Sequence, residues 1–355
     1  MRVTFLIPGP ARIPMGGVKV VVEYARRLVT RGHTVRVLGT ERPGDGLRDR
    51  LFGAAVALRD RFHGVPREPY YRAKGVGTET LPSPAARHVP DADVVIATGW
   101  QTAAWVHALP ASKGAKGYFI QGHEVHLDPR AAATWQLPLA IFTCARWLAD
   151  EVRAAGVPAL GYLPNALDDD EFGLDAPLAG RAPRALWLYH RHPLKGPAEG
   201  IAAIGRIRAM RPDAEVDVFC ARPPRHRLPD GVRVHVRPDR PTLRRLYNEA
   251  SVFLHTSHVE GWPLPPMEAM ACGAAVVAAA NDGVREYLDA TCGRLVPVGD
   301  AHALADAAIG LLHDDGERIR LAQAARSRVA SFSWDDSTTR LEGFLTRIAA
   351  GEGQR

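Results

Sequence analysis

Residues 3–38, VTFLIPGPARIPMGGVKVVVEYARRLVTRGHTVRVL, carry the pattern that decides the fold. Residues 3–7 read as a strand buried on both faces, as in a parallel sheet, and Pro8 and Gly9 end it at once. Between residues 19 and 31, Val21, Tyr24, Ala25, Leu28 and Val29 recur at helical spacing. Gly32 then supplies the residue that closes a helix. Residues 35–38 read as the next strand. A strand, a glycine-bearing loop, a helix and a second strand within forty residues make a βαβ unit.

The same alternation runs outward through the chain. Short apolar strands are expected at 94–97, 117–120 and 141–144, with helix-length segments between them. A Pro-, Gly- and Asp-rich stretch, 164–183, interrupts the pattern and reads as a linker. Strands are then expected at 185–189, 216–220, 232–236, 252–255 and 275–279, with helices at 200–210 and 243–250. Two successive βα arrays predict two doubly wound α/β domains facing each other across a cleft, with a ligand at the carboxyl ends of the strands.

Bulk properties agree. The chain has 355 residues, enough for roughly two domains. Hydrophobic residues are 46% and charged residues 24%, and mean hydropathy is −0.14, which excludes wholesale disorder and a membrane-embedded bundle. No stretch approaches the ~18 apolar residues of a membrane-spanning helix, and the start of the chain lacks the apolar run of a signal peptide. Cys144, Cys220, Cys272 and Cys292 are far apart, without the close pairs of a zinc site or disulfide framework. A reducing, cytoplasmic location is expected. The formal charge is +6, and 40 of the 45 basic residues are arginine. That excess reads either as a solvated surface or as a site for polyanions or an anionic membrane face. No nucleic-acid-binding module is recognisable, and no nucleic-acid partner is expected.

Two segments carry chemistry. In Pro14-Met15-Gly16-Gly17-Val18-Lys19 the paired glycines let a phosphate approach the backbone where a helix begins. This is neither the G-x-G-x-x-G dinucleotide signature nor a P-loop. The second segment runs Ser257-His258-Val259-Glu260-Gly261-Trp262-Pro263-Leu264-Pro265-Pro266-Met267-Glu268-Ala269-Met270-Ala271-Cys272-Gly273. Pro265 and Pro266 suit the opening positions of a helix, which predicts Glu268 in its first turn. Glu260 and Glu268 then flank a helix start where Gly261, Trp262, Leu264 and Met267 present N–H groups. Polyol acceptors and anion donors side by side suit a sugar attached to a diphosphate.

Glu260 and Glu268, with seven residues between them, resemble the E-x7-E motif of the retaining GT-B glycosyltransferases of family 4. Five further segments agree in order. Gly16-Gly17 resembles that family's phosphate loop, and Pro164-Asn165-Ala166-Leu167-Asp168 its interdomain turn. Arg191 with Lys195-Gly196 resembles its R…KG pair. Gly293-Arg294-Leu295-Val296-Pro297-Val298-Gly299-Asp300 and Phe332-Ser333-Trp334 complete the set. The resemblance is strongest over 185–345 and thin over 40–115.

The resemblance implies a GT-B fold of two Rossmann-like domains, 1–165 and 184–330, joined by a linker at 166–183. The segment 331–355 would be a helix returning to the first domain. It implies that Glu268 accepts hydrogen bonds from a nucleotide ribose and Glu260 from hydroxyls of the transferred sugar. Arg191 and Lys195 would neutralise the diphosphate leaving group, Gly17 would offer its N–H, and His123 would lie near the reacting centre. It also implies a metal-independent, front-face transfer from a UDP, GDP or dTDP sugar to a small-molecule or glycan hydroxyl, with no cofactor beyond the nucleotide sugar. Two alternatives stay open, a GT-B-fold nucleotide-sugar epimerase or hydrolase and a non-catalytic nucleotide-sugar-binding protein.

The sequence also departs from the family. Trp262 and Pro263 replace its Phe-Gly, and proline has no N–H to give a ligand. The usual glycine before Arg191 is absent. Other polar clusters have plainer readings. Asp91-Ala92-Asp93, which imitates a metal-binding D-x-D, sits where a turn enters a strand. Asp168-Asp169-Asp170 reads as a helix start or a solvated hinge. His190 with His192, and His255 with His258, read as phosphate-bonding or surface groups before metal ligands. The arginine-rich amphipathic segment 48–62 reads as a surface helix or as a peripheral contact with an anionic membrane. The acceptor would be determined by 40–115.

Overall fold

The computed structural model describes residues 1–10, 12, 15–40, 42–44, 46–62, 76, 78–126 and 128–353, without the side chains of residues 57, 59, 60 and 62. Pro14 of the glycine loop, residues 63–75, and the Arg59, Asp60 and Phe62 side chains of the amphipathic segment lie outside that description. The chain divides into two compact units, Met1–Pro164 with Asp335–Arg355, and Asn165–Trp334.

The first unit contains β1 (Arg2–Ile7), α1 (Gly16–Thr30), β2 (Thr34–Thr40), α2 (Leu47–Phe62), β3 (Thr78–Leu81), β4 (Val94–Ala97), α3 (Trp100–Ala108), β5 (Ala115–Ile120), α4 (Arg130–Thr134), β6 (Ala140–Thr143), α5 (Arg146–Ala154) and β7 (Ala159–Tyr162). Its seven strands are all parallel, in the order β3-β2-β1-β4-β5-β6-β7. β1, β4 and β6 are almost wholly buried, as near-continuous apolar runs require.

The second unit contains β8 (Arg184–Leu188), α6 (Pro197–Met210), β9 (Glu215–Cys220), β10 (Arg233–Val236), α7 (Arg240–Glu249), β11 (Val252–His255), α8 (Leu264–Ala271), β12 (Ala275–Ala279), α9 (Asp282–Arg285), β13 (Arg294–Val296), α10 (Ala301–His313) and α11 (Asp315–Ala330). Its six parallel strands run β10-β9-β8-β11-β12-β13. In both sheets the first strand of the array sits in the middle and the order reverses beside it. That reversal leaves a crevice at the carboxyl ends of the two central strands, where open α/β sheets bind ligands. In the second unit the central pair is β8 and β11.

The final helix α12 (Trp334–Ala349) packs, from Asp335 onward, with the first unit. Phe344 packs, tilted, with its ring 5.6 Å from that of Phe142, and Arg31 and His33 bond Glu342 at 2.7 and 3.0 Å. Three strands carry no period readable in the sequence: β3 alternates polar residues, β7 contains Gly161, and β13 is three residues long. α1 starts at Gly16, three residues before the helical segment expected from residue 19, and Val18 and Lys19 in its first turn are already buried. The acidic run 168–170 starts no helix: it turns, and Arg244 bonds the carbonyls of Asp169 and Asp170.

Candidate active site

The loop after β8 and the loop after β11 build one polar cluster. His192 accepts the Leu194 N–H through Nδ1, and residues 193–195 make a short 3₁₀ turn. Gly196 then takes φ +65°, and a Cβ there would overlap the carbonyl of Thr256. Only glycine lets the chain run that close to the second loop. Two hydrogen bonds join the loops, and a third braces them from β8. Thr256 Oγ1 donates to the Lys195 carbonyl at 2.8 Å, Trp187 Nε1 donates to Thr256 Oγ1 at 3.1 Å, and the His258 N–H reaches the Leu194 carbonyl at 2.8 Å.

Lys195 Nζ lies 2.7 Å from Glu260 Oε1. Burial alone would raise the Glu260 carboxyl, but the charge of Lys195, the nearby His255, and hydrogen bonds from Lys195 and Ser257 together hold it below its ordinary value. Glu260 is therefore a carboxylate, able only to accept hydrogen bonds. A Cβ on Gly283 would overlap the Glu260 carbonyl, so the first residues of α9 pack directly under it. His255 is buried and its imidazole is pushed down to about 4, chiefly by burial and partly by Lys195. It stays neutral, 3.3 Å from Asn281 Nδ2, which also donates to the Ser257 carbonyl at 2.8 Å.

α8 begins at Leu264, so Pro265 and Pro266 are its second and third residues, where a missing N–H breaks no helical bond. Glu268 is accordingly the fifth residue, beyond the first turn in which the proline spacing puts it. It is buried, and Tyr247 donates to its Oε2 at 2.9 Å. The Trp262 indole is also buried, packed at 5.5 Å from Tyr287 and 5.2 Å from Phe332, with Nε1 on Met267 Sδ. Its side chain thus serves the core, leaving its backbone as the part that can face a ligand. Tyr287 donates to the Pro263 carbonyl at 2.6 Å and so anchors the turn between Glu260 and α8.

Arg191 is not bonded into this cluster. Its guanidinium donates through Nε and Nη2 to the Pro223 carbonyl, at 3.0 and 2.5 Å. The sequence pairs it with Lys195; the structure gives the two different partners, because the intervening turn at 192–195 redirects the chain. The four histidines also part company. His190 Nδ1 accepts the His192 N–H at 3.1 Å, His258 bonds Glu199 at 2.8 Å, and His255 bonds Asn281. Among the described residues no group of three or more His, Cys, Asp or Glu is placed to hold a metal ion. Asp91 and Asp93 are spent on Lys113 and Arg2, at 2.8 and 2.9 Å, as a turn into β4 requires.

In the first unit the candidate residues are held individually. Gly16 is the first residue of α1 and Gly17 the second, and a Cβ on Gly17 would touch the Gln121 amide at 3.4 Å. His123 follows β5, its ring 5.5 Å from Trp135, 5.8 Å from Trp147 and 4.6 Å from His126, with Nε2 3.8 Å from Glu151. Next to it, Glu124 accepts the Trp100 N–H at 2.8 Å, and burial raises its carboxyl above the ordinary value. Tyr247, Tyr287 and Asn281 have no sequence signal that ties them to the site, because what joins them to it is contact between distant segments.

Residues 214–328 match the family model of glycosyl transferases group 1. Over 203 residues the chain is 34% identical to the phosphatidyl-myo-inositol mannosyltransferase of Mycolicibacterium smegmatis, covering 53% of this chain and 51% of that protein. Over 109 residues it is 44% identical to the D-inositol 3-phosphate glycosyltransferase of Xylanimonas cellulosilytica, covering 30% of this chain and 26% of that protein. The matches thus span from a quarter to a half of these relatives. The crystal structure of Anabaena HepE in complex with UDP-glucose superimposes on 98% of this chain and 99% of its own, with a TM-score of 0.75 and 16% identity. The sequence matches are to glycosyltransferases, and the fold, two Rossmann-like α/β units, is GT-B. Among the described residues no helix is long and apolar enough to cross a membrane.

Proposed function

We propose that the protein is a retaining, family 4 glycosyltransferase that moves a sugar from a nucleoside diphosphate to a hydroxyl acceptor. The observation that carries this is the Lys195–Glu260 pair at 2.7 Å beside the central strands β8 and β11, with Glu268 buried in the helix that follows. Positive charge meets the diphosphate and carboxylates meet the polyols of the sugar and the ribose. When the sugar–phosphate bond breaks, negative charge grows on the leaving diphosphate, so the ammonium of Lys195 binds the transition state more strongly than the ground state. In this reading Arg191 turns from Pro223 to share that charge, which makes the transfer independent of a metal.

Glu260 orients sugar hydroxyls and is not an acid/base partner of Glu268; the two-carboxylate arrangement of glycoside hydrolases does not apply. The acceptor oxygen forms its bond to the anomeric carbon on the face that the diphosphate leaves, and a phosphate oxygen of the leaving group takes the acceptor proton. Gly17 and His123 of the first unit serve the phosphate and the sugar, respectively. The names of the relatives make cyclitol phosphates and inositol lipids the first acceptors to try. The test is nucleoside diphosphate release from UDP-, GDP- and dTDP-sugars with and without such acceptors, with the anomeric configuration of the product read by NMR. Acceptor-dependent release and a retained anomer support the proposal. Full-rate release without an acceptor, or an isomerised nucleotide sugar, makes the protein a hydrolase or epimerase instead, and binding without turnover makes it a binding protein.

The structure of α2 supports a peripheral membrane contact. Leu47, Leu51 and Leu58 are 75%, 63% and 71% exposed, and at helical spacing they fall within an arc of ~40°. Arg50 and Arg61 flank that stripe on one side and Arg48 on the other, the arrangement of a helix lying in an anionic interface. Sedimentation with vesicles of neutral lipid and with vesicles containing anionic lipid tests it. The protein should pellet with the anionic vesicles alone, and a triple Leu→Ser variant should stay in solution.

A further inference from the structure

Glu268 has a fixed neighbour on α7. Tyr247, on α7, is fully buried and places its hydroxyl 2.9 Å from Glu268 Oε2. Its ring cannot swing away, because Phe172, Phe219 and Phe253 each stand 5.7 Å from it, all at steep interplanar angles. Burial and the Glu268 carboxylate both push the phenol well above its ordinary value, so it keeps its proton and can only donate to the carboxylate. A carboxylate has about four acceptor positions, and a rigid phenol that occupies one of them sets the plane of the others.

We propose that Tyr247 is a positioning residue that fixes the Glu268 carboxylate as the acceptor of a ribose diol, and so makes the site selective for ribonucleoside over 2′-deoxyribonucleoside diphosphates. This rests on the reading of residues 165–334 as the nucleotide-sugar site. A phenylalanine in place of Tyr247 keeps the aromatic packing and removes only the hydroxyl. Glu268 then loses its orientation, and the ribose 2′-hydroxyl loses a well-placed acceptor. Hydrogen bonds to a charged group are among the strong ones, and a site built around such a bond rejects ligands that lack the hydroxyl.

The test is calorimetric titration of the full chain with UDP, 2′-deoxy-UDP, GDP and 2′-deoxy-GDP. The wild-type protein should prefer the ribose form of its base by about tenfold or more. Tyr247→Phe should weaken the ribose form towards the deoxy form, leave the deoxy form within about twofold, and show no further loss of preference when combined with Glu268→Gln. Equal weakening of both forms, or an unchanged preference, overturns the role of Tyr247. A wild-type protein that binds none of the four overturns the site reading itself. If Tyr247→Phe does not fold, Glu268→Gln alone decides: the ribose preference should fall to below threefold, and an undiminished preference refutes the proposal.

Discussion

Lys195 and Glu260 lie 2.7 Å apart in one unit, whereas Gly17 and His123 in the other are each held by separate packing neighbours. The loops after β8 and β11 are joined to each other by the hydrogen bonds of Lys195, Thr256 and His258, Gly196 lets their backbones close to contact, and Gly283 packs α9 against the second of them. At the start of α1, a Cβ on Gly17 would lie 3.4 Å from the Gln121 amide in the loop after β5. In the proposed reading the interlocked loops bind the same diphosphate and ribose in every turnover and gain from being preorganised. A site that fits an acceptor can vary from relative to relative, and loops held singly vary at least cost. The family model accordingly matches residues 214–328, inside the interlocked unit, and not the other.

If that contrast is correct, the largest effect belongs to Lys195. Lys195→Ala should lower kcat by about 10²–10³-fold, the range seen when one preorganised charge-stabilising donor is removed. Stability should fall by no more than about 2 kcal/mol, since the lysine is one-third exposed and its ion pair is partly screened. Steady-state rates with a saturating nucleotide sugar and urea unfolding check the two halves. A loss of less than tenfold in kcat would remove the interlocked cluster from the chemistry. Gly196→Ala comes next and acts on the interlock itself. Strain at φ +65° and the overlap with the Thr256 carbonyl should cost about 2–4 kcal/mol, read as a lower urea midpoint.

How much of this was legible in the sequence follows from the same contrast. The apolar strands near 94–97, 252–255 and 275–279 could be placed to the residue, because buried parallel strands are continuous apolar runs bounded by turns. Glu260 and Glu268 were legible as a motif, since their spacing is local, and Lys195 through the separate segment Lys195-Gly196. The partners that hold them were not. Nothing in the order of residues says that Tyr247 meets Glu268, that Tyr287 holds Pro263, or that Gly283 underlies Glu260. Those contacts come from the 3-2-1-4-5-6 sheet order, which brings segments 20 to 60 residues apart to one edge. Arg191, a sequence neighbour of Lys195, bonds the Pro223 carbonyl from the other side of a 3₁₀ turn, a partner that closeness in sequence does not reveal.

The third effect reads the interlock by pH. His255 titrates at about 4 in the folded state against an ordinary 6.5, because it is buried and Lys195 repels its proton, with Glu260 acting the other way. The unfolded chain binds that proton first, so His255 contributes stability that is complete above pH 6.5 and lost as pH falls towards 4. The loss should be on the order of 2 kcal/mol by pH 5. Glu260, held below its ordinary value, adds its own loss only below about 4.5. Urea unfolding at pH 7 and pH 5 should show the drop in the wild-type protein and a smaller one in His255→Asn. Equal drops in both would mean that the imidazole is not the buried neutral group the structure shows.

The smallest effect tests the other side of the comparison. A Cβ on Gly16 would meet nothing within 4 Å, and the residue opens α1 with no positive φ. Replacing it by alanine should therefore hold or raise stability, by up to about 1 kcal/mol, through the reduced freedom of the unfolded chain. No packing reason then remains for glycine at this position. If the loop before α1 lets a phosphate approach the backbone, the added methyl group stands in its way, and Gly16→Ala should raise the KM for the nucleotide sugar a few-fold while the protein melts no lower. The two glycines thus give opposite signatures: Gly196→Ala loses stability because the protein itself fills the space, and Gly16→Ala loses substrate affinity because a ligand does. A Gly16→Ala protein with unchanged KM would leave the first unit without a phosphate-binding loop and place the whole of diphosphate recognition in residues 165–334.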